Sequence, residues 1–177
     1  IKSSILYPII MNHIGQCIND KNEYVRRSCY STIGIIAEGC EEKFRDNLDK
    51  IVDLLVSSFI KESSISCKHQ IIISIDRLTE YFDDLMAYYH DKIVPLLIEQ
   101  IKLDDKKQII LNESALIELN YFIKILEEEL EIYHSTLIPL LLNIIFNVSD
   151  KKNNRQRSEA LSALCTLINR APIELFN

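Results

Sequence analysis

His90 and His134 stand in matching places of two near-identical phrases, AYYHDKIVPLL (Ala87 to Leu97) and EIYHSTLIPLL (Glu131 to Leu141). Matched imidazoles are the ligands a shared metal would use. Equivalent positions in adjacent repeats of a helical array lie about 10 Å apart, too far for both rings to hold one ion. The two histidines therefore read as structural, near the start of a helix. A second group is acidic: LEEELEIY carries Glu127, Glu128, Glu129 and Glu131. Paired carboxylates can run acid–base chemistry. Adjacent glutamates at a helix end fan outward, so the run reads as a solvated face that could attract a basic ligand. The five cysteines, at 17, 29, 40, 67 and 165, form no CxxC pair and no His–Cys cluster with metal spacing. Cys29 reads as a small core residue, and the set as the reduced thiols of a cytosolic or nuclear protein. Serine, histidine and aspartate occur, but no GxSxG, HExxH, GxxxxGK or GxGxxG arrangement places them. The expectation is a chain that is not an enzyme and carries no metal and no cofactor.

The chemistry having no focus, the weight falls on the elements. The two phrases above repeat Tyr89, His90, Val94, Pro95, Leu96 and Leu97 as Tyr133, His134, Ile138, Pro139, Leu140 and Leu141, always 44 positions later. The same register places Asp53 42 residues before Pro95, and Pro8 a further 45 back. The other half of the unit agrees. Arg26, Cys29, Tyr30, Ile33, Ile36 and Ala37 correspond to Arg157, Ala160, Leu161, Leu164, Leu167 and Ile168 at a shift of 131, the value the proline register requires. A period in the forties filled by helix patterns is the signature of HEAT or armadillo arrays. The expected fold is all-α, an α-α superhelix of about four antiparallel helix pairs, with repeats near 1–42, 43–84, 85–129 and 130–177.

Composition is consistent with this. Three glycines and four prolines in 177 residues leave few β-turns, and the abundant isoleucines recur at three and four rather than at two. A net charge of −6 disfavours a nucleic-acid grip and favours basic partners. The longest apolar runs, such as LIPLLLNIIF, reach about ten residues, short of the roughly twenty that span a bilayer. No basic stripe faces an apolar one, so no membrane partner is expected. The chain opens inside a helix pattern and closes at ELFN, which reads as the start of another unit; it is expected to be a piece of a longer array.

The helix patterns run from Ser3 to Ile18, Glu23 to Gly39, Phe44 to Lys61, Ser64 to Phe82, Leu85 to Leu103, Gln108 to Leu126, Leu130 to Val148 and Arg155 to Arg170. Asn19 to Asn22 make the first turn and Ser63 or Ser64 caps the fourth helix. Gly39 is expected in left-handed geometry at a helix end. SDKKNN forms a solvated loop, and Pro172 stops the last helix. Pro8, Pro95 and Pro139 fall inside outer-helix patterns, where they predict a shared kink or restart. One helix pair buries too few apolar side chains to stand alone, so neighbours must stack.

The stretch VRRSCYSTIGIIAEGCEEKFRDNLDKIVDLLVSSF (Val25 to Phe59) resembles the importin-β, or karyopherin-β, superfamily of nuclear transport receptors. IILNESALIEL (Ile109 to Leu119), IPLLLNIIF and RSEALSALCTLINRAP (Arg157 to Pro172) resemble successive repeats of the C-terminal arch of transportin. The resemblance implies a receptor shuttling between cytoplasm and nucleus. It implies cargo with basic targeting segments on the concave inner helices, and Ran GTPase and FG nucleoporins as partners of the full-length protein. Where transportins carry an acidic cargo-facing residue and a cargo-lining tryptophan, this chain has Ile35 and Ile73, and it has no tryptophan. That departure points away from the usual transportin cargo. Offsets from core positions place Ser31, Ile35, Glu38, Gln70, Ile73 and Arg77 on the expected cargo face. The alternative is a HEAT scaffold of another kind: a phosphatase regulatory subunit, a coat adaptor or a tubulin-binding array.

Overall fold

The computed structural model describes residues 2–103, 105–147 and 154–170, and among these there is no strand. Ten α-helices are described: α1 (Lys2–Cys17), α2 (Glu23–Gly39), α3 (Glu41–Arg45), α4 (Leu48–Lys61), α5 (Ile65–Tyr81), α6 (Asp83–Met86), α7 (His90–Lys102), α8 (Ile109–Ile125), α9 (His134–Asn147) and α10 (Asn154–Arg170). The fold is an all-α helical repeat. Two compact units divide the chain at 89/90, inside the expected third repeat.

In the first unit α1 packs on α2 and α4 on α5, while α2 and α5 pack on each other. We call the mutually packed helices inner and the others outer. α4 shows why an outer helix forms. Leu48, Ile51, Val52, Leu55 and Phe59 recur at three and four, putting one apolar stripe inward and leaving Lys50, Asp53 and Lys61 to solvent or its edge. Asn22 caps α2 by accepting from Tyr24 N–H, and Ser64 caps α5 by accepting from Cys67 N–H.

A buried row of rings binds the ends of these repeats. Tyr7 meets Phe44 edge-on at 5.5 Å, and Phe44 stacks on Phe82 at 6.3 Å with planes 6° apart. The guanidinium of Arg45 lies 5.7 Å above Phe82 and pairs with Asp84 at 3.2 Å.

The second unit repeats the plan: α7 on α8, α9 on α10, and α8 against α10. α8 buries Leu111, Ala115, Leu116, Leu119, Phe122 and Ile123 on more than one side, as a helix flanked by two others must. Polar side chains close the repeat ends. Buried Gln100 donates to Gln108 and Asn112, and Asn112 donates to the Leu103 carbonyl at 2.8 Å. Arg170 donates to the carbonyls of Ile123 and Leu126, satisfying the otherwise unpaired end of α8.

Several expectations are corrected. The helix expected to start at Phe44 is two pieces, α3 and α4. The one expected to start at Leu85 is α6, a 3-10 turn at Ala87–Tyr89, and α7. The helix expected from Leu130 begins as a 3-10 turn, Glu128–Tyr133. α7 and α9 run through Pro95 and Pro139, and the restart lies five residues earlier, at His90 and His134. Both prolines are exposed, so the carbonyls they leave unbonded can be hydrated. Ser149 to Asn153 and Pro172 lie outside the described residues; Asn154, expected in the loop, opens α10.

Gly39 is not left-handed, for no described glycine has positive φ. The α2 end is completed by Cys40 at φ −134° and ψ 34°. The glycine with a reason is Gly34, where α5 packs close against α2. A Cβ there would meet Arg77 Cδ at 3.0 Å and the Ser74 Cα at 3.2 Å, whereas one at Gly39 would meet nothing within 4 Å. Gly34→Ala is therefore expected to lose about 1 kcal/mol net, overpacking exceeding the gain in helix propensity. Gly39→Ala is expected to gain about 0.5 kcal/mol. Urea unfolding of the two variants measures the opposite signs.

Candidate protein-binding face

All six residues proposed for the cargo face fall in the first unit, Ser31, Ile35 and Glu38 on α2 and Gln70, Ile73 and Arg77 on α5. The two helices are held in register by contacts 44 residues apart. Ser74 Oγ donates to the Tyr30 carbonyl at 2.7 Å, and Cys67 Sγ to the Glu23 carbonyl at 3.3 Å. With Cys29, Tyr30, Ile33, Gly34 and Ala37 buried on α2, the open or half-buried positions on this side include 24, 27, 28, 31, 35 and 38. On α5 the corresponding open or half-buried positions are 66, 69, 70, 73, 77, 80 and 81. Both sets follow the three-and-four stride of one helix side.

Ile35 is 54% exposed, Glu38 is exposed, and Ser31, Gln70, Ile73 and Arg77 are half-buried. Tyr81, 38% exposed, shares a hydrogen bond with Glu38; burial, and then the Glu38 charge, raise its phenol above the ordinary value. The aliphatic stem of Arg77 lies over Gly34. This end of the face combines apolar surface with carboxylates at Glu38 and Glu80. Such a surface can make apolar contact through Ile35 and Ile73 and charge contact at its Glu38 and Glu80 end.

The chain is similar to an importin β subunit. Over 163 residues it is 24% identical to "Importin subunit beta-3" of Saccharomyces cerevisiae, a match covering 91% of this chain and 14% of the relative. That likeness supports the importin-β superfamily, at the level of an importin-like helical repeat. No protein-family model matches the chain.

The sequence reading missed Tyr24, Arg27, His69 and Tyr81 on this face. Their signal was present, since each stands three, four or seven positions from a residue that was chosen. It also missed the joint beside the face. Arg26 donates from Nε and Nη2 to the two Glu62 oxygens, both at 2.8 Å, and from Nη1 to the Asp20 carbonyl at 2.8 Å. Glu62 further accepts from Ser63 and Ser64 N–H. A cavity of about 380 Å³ opens beside the pair, lined among others by Asn19, Asp20, Tyr30, Ser58 and Lys61.

The matched histidines have separate fates. His90 Nδ1 lies 2.8 Å from the Tyr133 hydroxyl, which also donates to the His90 carbonyl at 3.2 Å, so the repeated Tyr–His pair joins one repeat to the next. His134 is buried. No group of three metal-binding side chains occurs among the described residues. Glu127, Glu128, Glu129 and Glu131 are exposed around the 3-10 turn.

One stretch, Glu128–Phe146, is apolar and long enough by composition to cross a bilayer, more than the apolar runs suggested. Its α-helical part lies within α9, itself only 14 residues long, and Leu137, Leu141 and Ile144 are buried where α9 packs on α10.

Proposed function

We propose that the chain is part of a karyopherin-β-type, transportin-like nuclear transport receptor whose inner helices hold targeting segments of cargo proteins. The observation that carries this reading is the open stripe along α2 and α5, where Ile35, Ile73 and Tyr81 sit beside Glu38 and Arg77. The likeness to an importin subunit supports it. A flexible basic segment lies along the stripe, losing chain entropy in exchange for apolar and charge contacts. The chain acts by binding and does no catalysis. In the whole protein, Ran GTPase releases the cargo, FG nucleoporins carry the complex, and the receptor shuttles between cytoplasm and nucleus.

The test is fluorescence anisotropy with a labelled peptide carrying a basic targeting segment. Ile35→Asp is expected to weaken binding about tenfold, since it puts a charge in the apolar contact, while leaving the unfolding midpoint in place because Ile35 supports no core. Binding that ignores Ile35→Asp and Glu38→Lys alike, or no binding, removes the cargo reading and leaves a scaffold of another kind.

A further inference from the structure

The carboxylates on the open stripe of the first unit gather at one end, where they outnumber Arg77. At the C-terminal ends of α2 and α5 stand Glu38 and Glu80; toward the N-terminal ends stand Arg27 and His69. Arg27 is exposed and has no carboxylate partner among the described residues. The neighbouring charges are committed elsewhere. Arg26 is held by Glu62, Glu23 accepts from Ser64 Oγ at 2.6 Å, and Lys68 lies 4.9 Å over the Phe59 ring. His69 is half-buried beside Arg27, and burial first, then the Arg27 charge, lower its pKa. Arg27 is therefore a guanidinium on open surface with no carboxylate of its own among the described residues. Tyr24, 69% exposed one turn before Arg27, extends the same surface.

We propose that Arg27, with His69 beside it, receives a carboxylate side chain of the bound polypeptide, so that the segment crosses the stripe with an acidic residue at one end and a basic residue at the other. This rests on the cargo reading above and adds to it a polarity. Arg27 and Glu38 are eleven residues apart on one helix. That is about three turns, so both project from the same side, and it is about 16 Å along the axis. An extended chain advances about 3.3–3.6 Å per residue, which separates the acidic and basic residues of the ligand by about five positions. A carboxylate suits this end better than a phosphate backbone. Glu38 and Glu80 further along the stripe would repel a polyanion, and the chain carries a net charge of −6.

The experiment uses labelled peptides with one basic cluster, alone or with a glutamate five positions away on either side, and measures anisotropy with the wild-type protein, Arg27→Gln and Arg27→Glu. One of the two glutamate peptides is expected to bind about three- to tenfold tighter than the purely basic one, the range of a partly desolvated charge-assisted pair. In Arg27→Gln that ratio falls to one, and in Arg27→Glu a lysine at the glutamate position is preferred. If the basic peptide binds and neither glutamate position improves it, or if the ratio survives Arg27→Gln, the polarity is wrong and the cargo reading stands. If no peptide binds, both fall together. Competition by a single-stranded RNA oligomer that is lost in Arg27→Gln would assign the anion to phosphate and overturn the carboxylate.

Discussion

Phe44→Ala is expected to destabilise the first unit by about 3–5 kcal/mol, the range for a large ring removed from a packed interior. Phe44 is fully buried and is the middle rung of the row Tyr7–Phe44–Phe82, so truncation strips contacts from both neighbours at once. The three rings come from α1, α3 and the residue before α6, and the cavity would open at the junction of successive repeats rather than inside one. Phe44→Leu, which keeps most of the volume, should cost about 1–1.5 kcal/mol. Chemical denaturation followed by circular dichroism measures both. A loss under about 1 kcal/mol for the alanine variant would mean that the row carries little of the stability.

Arg26→Met is expected to cost about 3–5 kcal/mol, because it leaves the Glu62 carboxylate buried without its cation. The side chains are 17% and 4% exposed for Arg26 and Glu62, so water screens the pair weakly. The Arg26 hydrogen bonds, helped by the Ser64 and Ser63 N–H groups, hold the Glu62 carboxyl at about 2, against an ordinary 4.5. A folded-state value below the unfolded one means that folding favours the ionised form. The stabilisation is complete above about pH 5 and is lost as pH falls from about 4.5 to 2, amounting to about 3 kcal/mol. Unfolding measured between pH 7 and pH 2 should show this loss in the wild type. In Arg26→Met the acid-linked loss from this group should be much smaller, because Glu62 no longer gains from being charged. Replacing Glu62 as well with Met should recover only part of the deficit, since Ser63 and Ser64 would still lose their acceptor at the head of α5.

The inner helices were legible because their buried residues are spaced by the geometry of the helix itself. Glu23 to Gly39 was read to the residue, with Asn22 polar at its head. The outer helices were less legible where the chain changes direction. Nothing local in FRDNLDKIV separates α3 from α4, because 3-10 and α turns share the same apolar spacing over a few residues. The break follows from Phe44 turning in to meet Tyr7 and Phe82, a demand from residues far along the chain. Gly39 misled for a related reason. Glycine permits left-handed geometry without requiring it, and α2 ends instead in a turn at Cys40 with negative φ.

The all-α class and the stride that separates open from buried positions were determined by the sequence alone, since each is a property of residues within a few turns of one another; the repeat period was too, because the same local pattern recurs 44 positions later. Which charges remain unpaired was decided only by the tertiary structure. Arg26 and Arg27 are adjacent, chemically identical and equally polar in sequence. The turn of the helix carries Arg26 toward Glu62, 36 positions away, and leaves Arg27 on the open stripe beside His69. Coulombic pairing depends on distance in space, and for partners separated by tens of residues that distance exists only once α2 and α5 have packed.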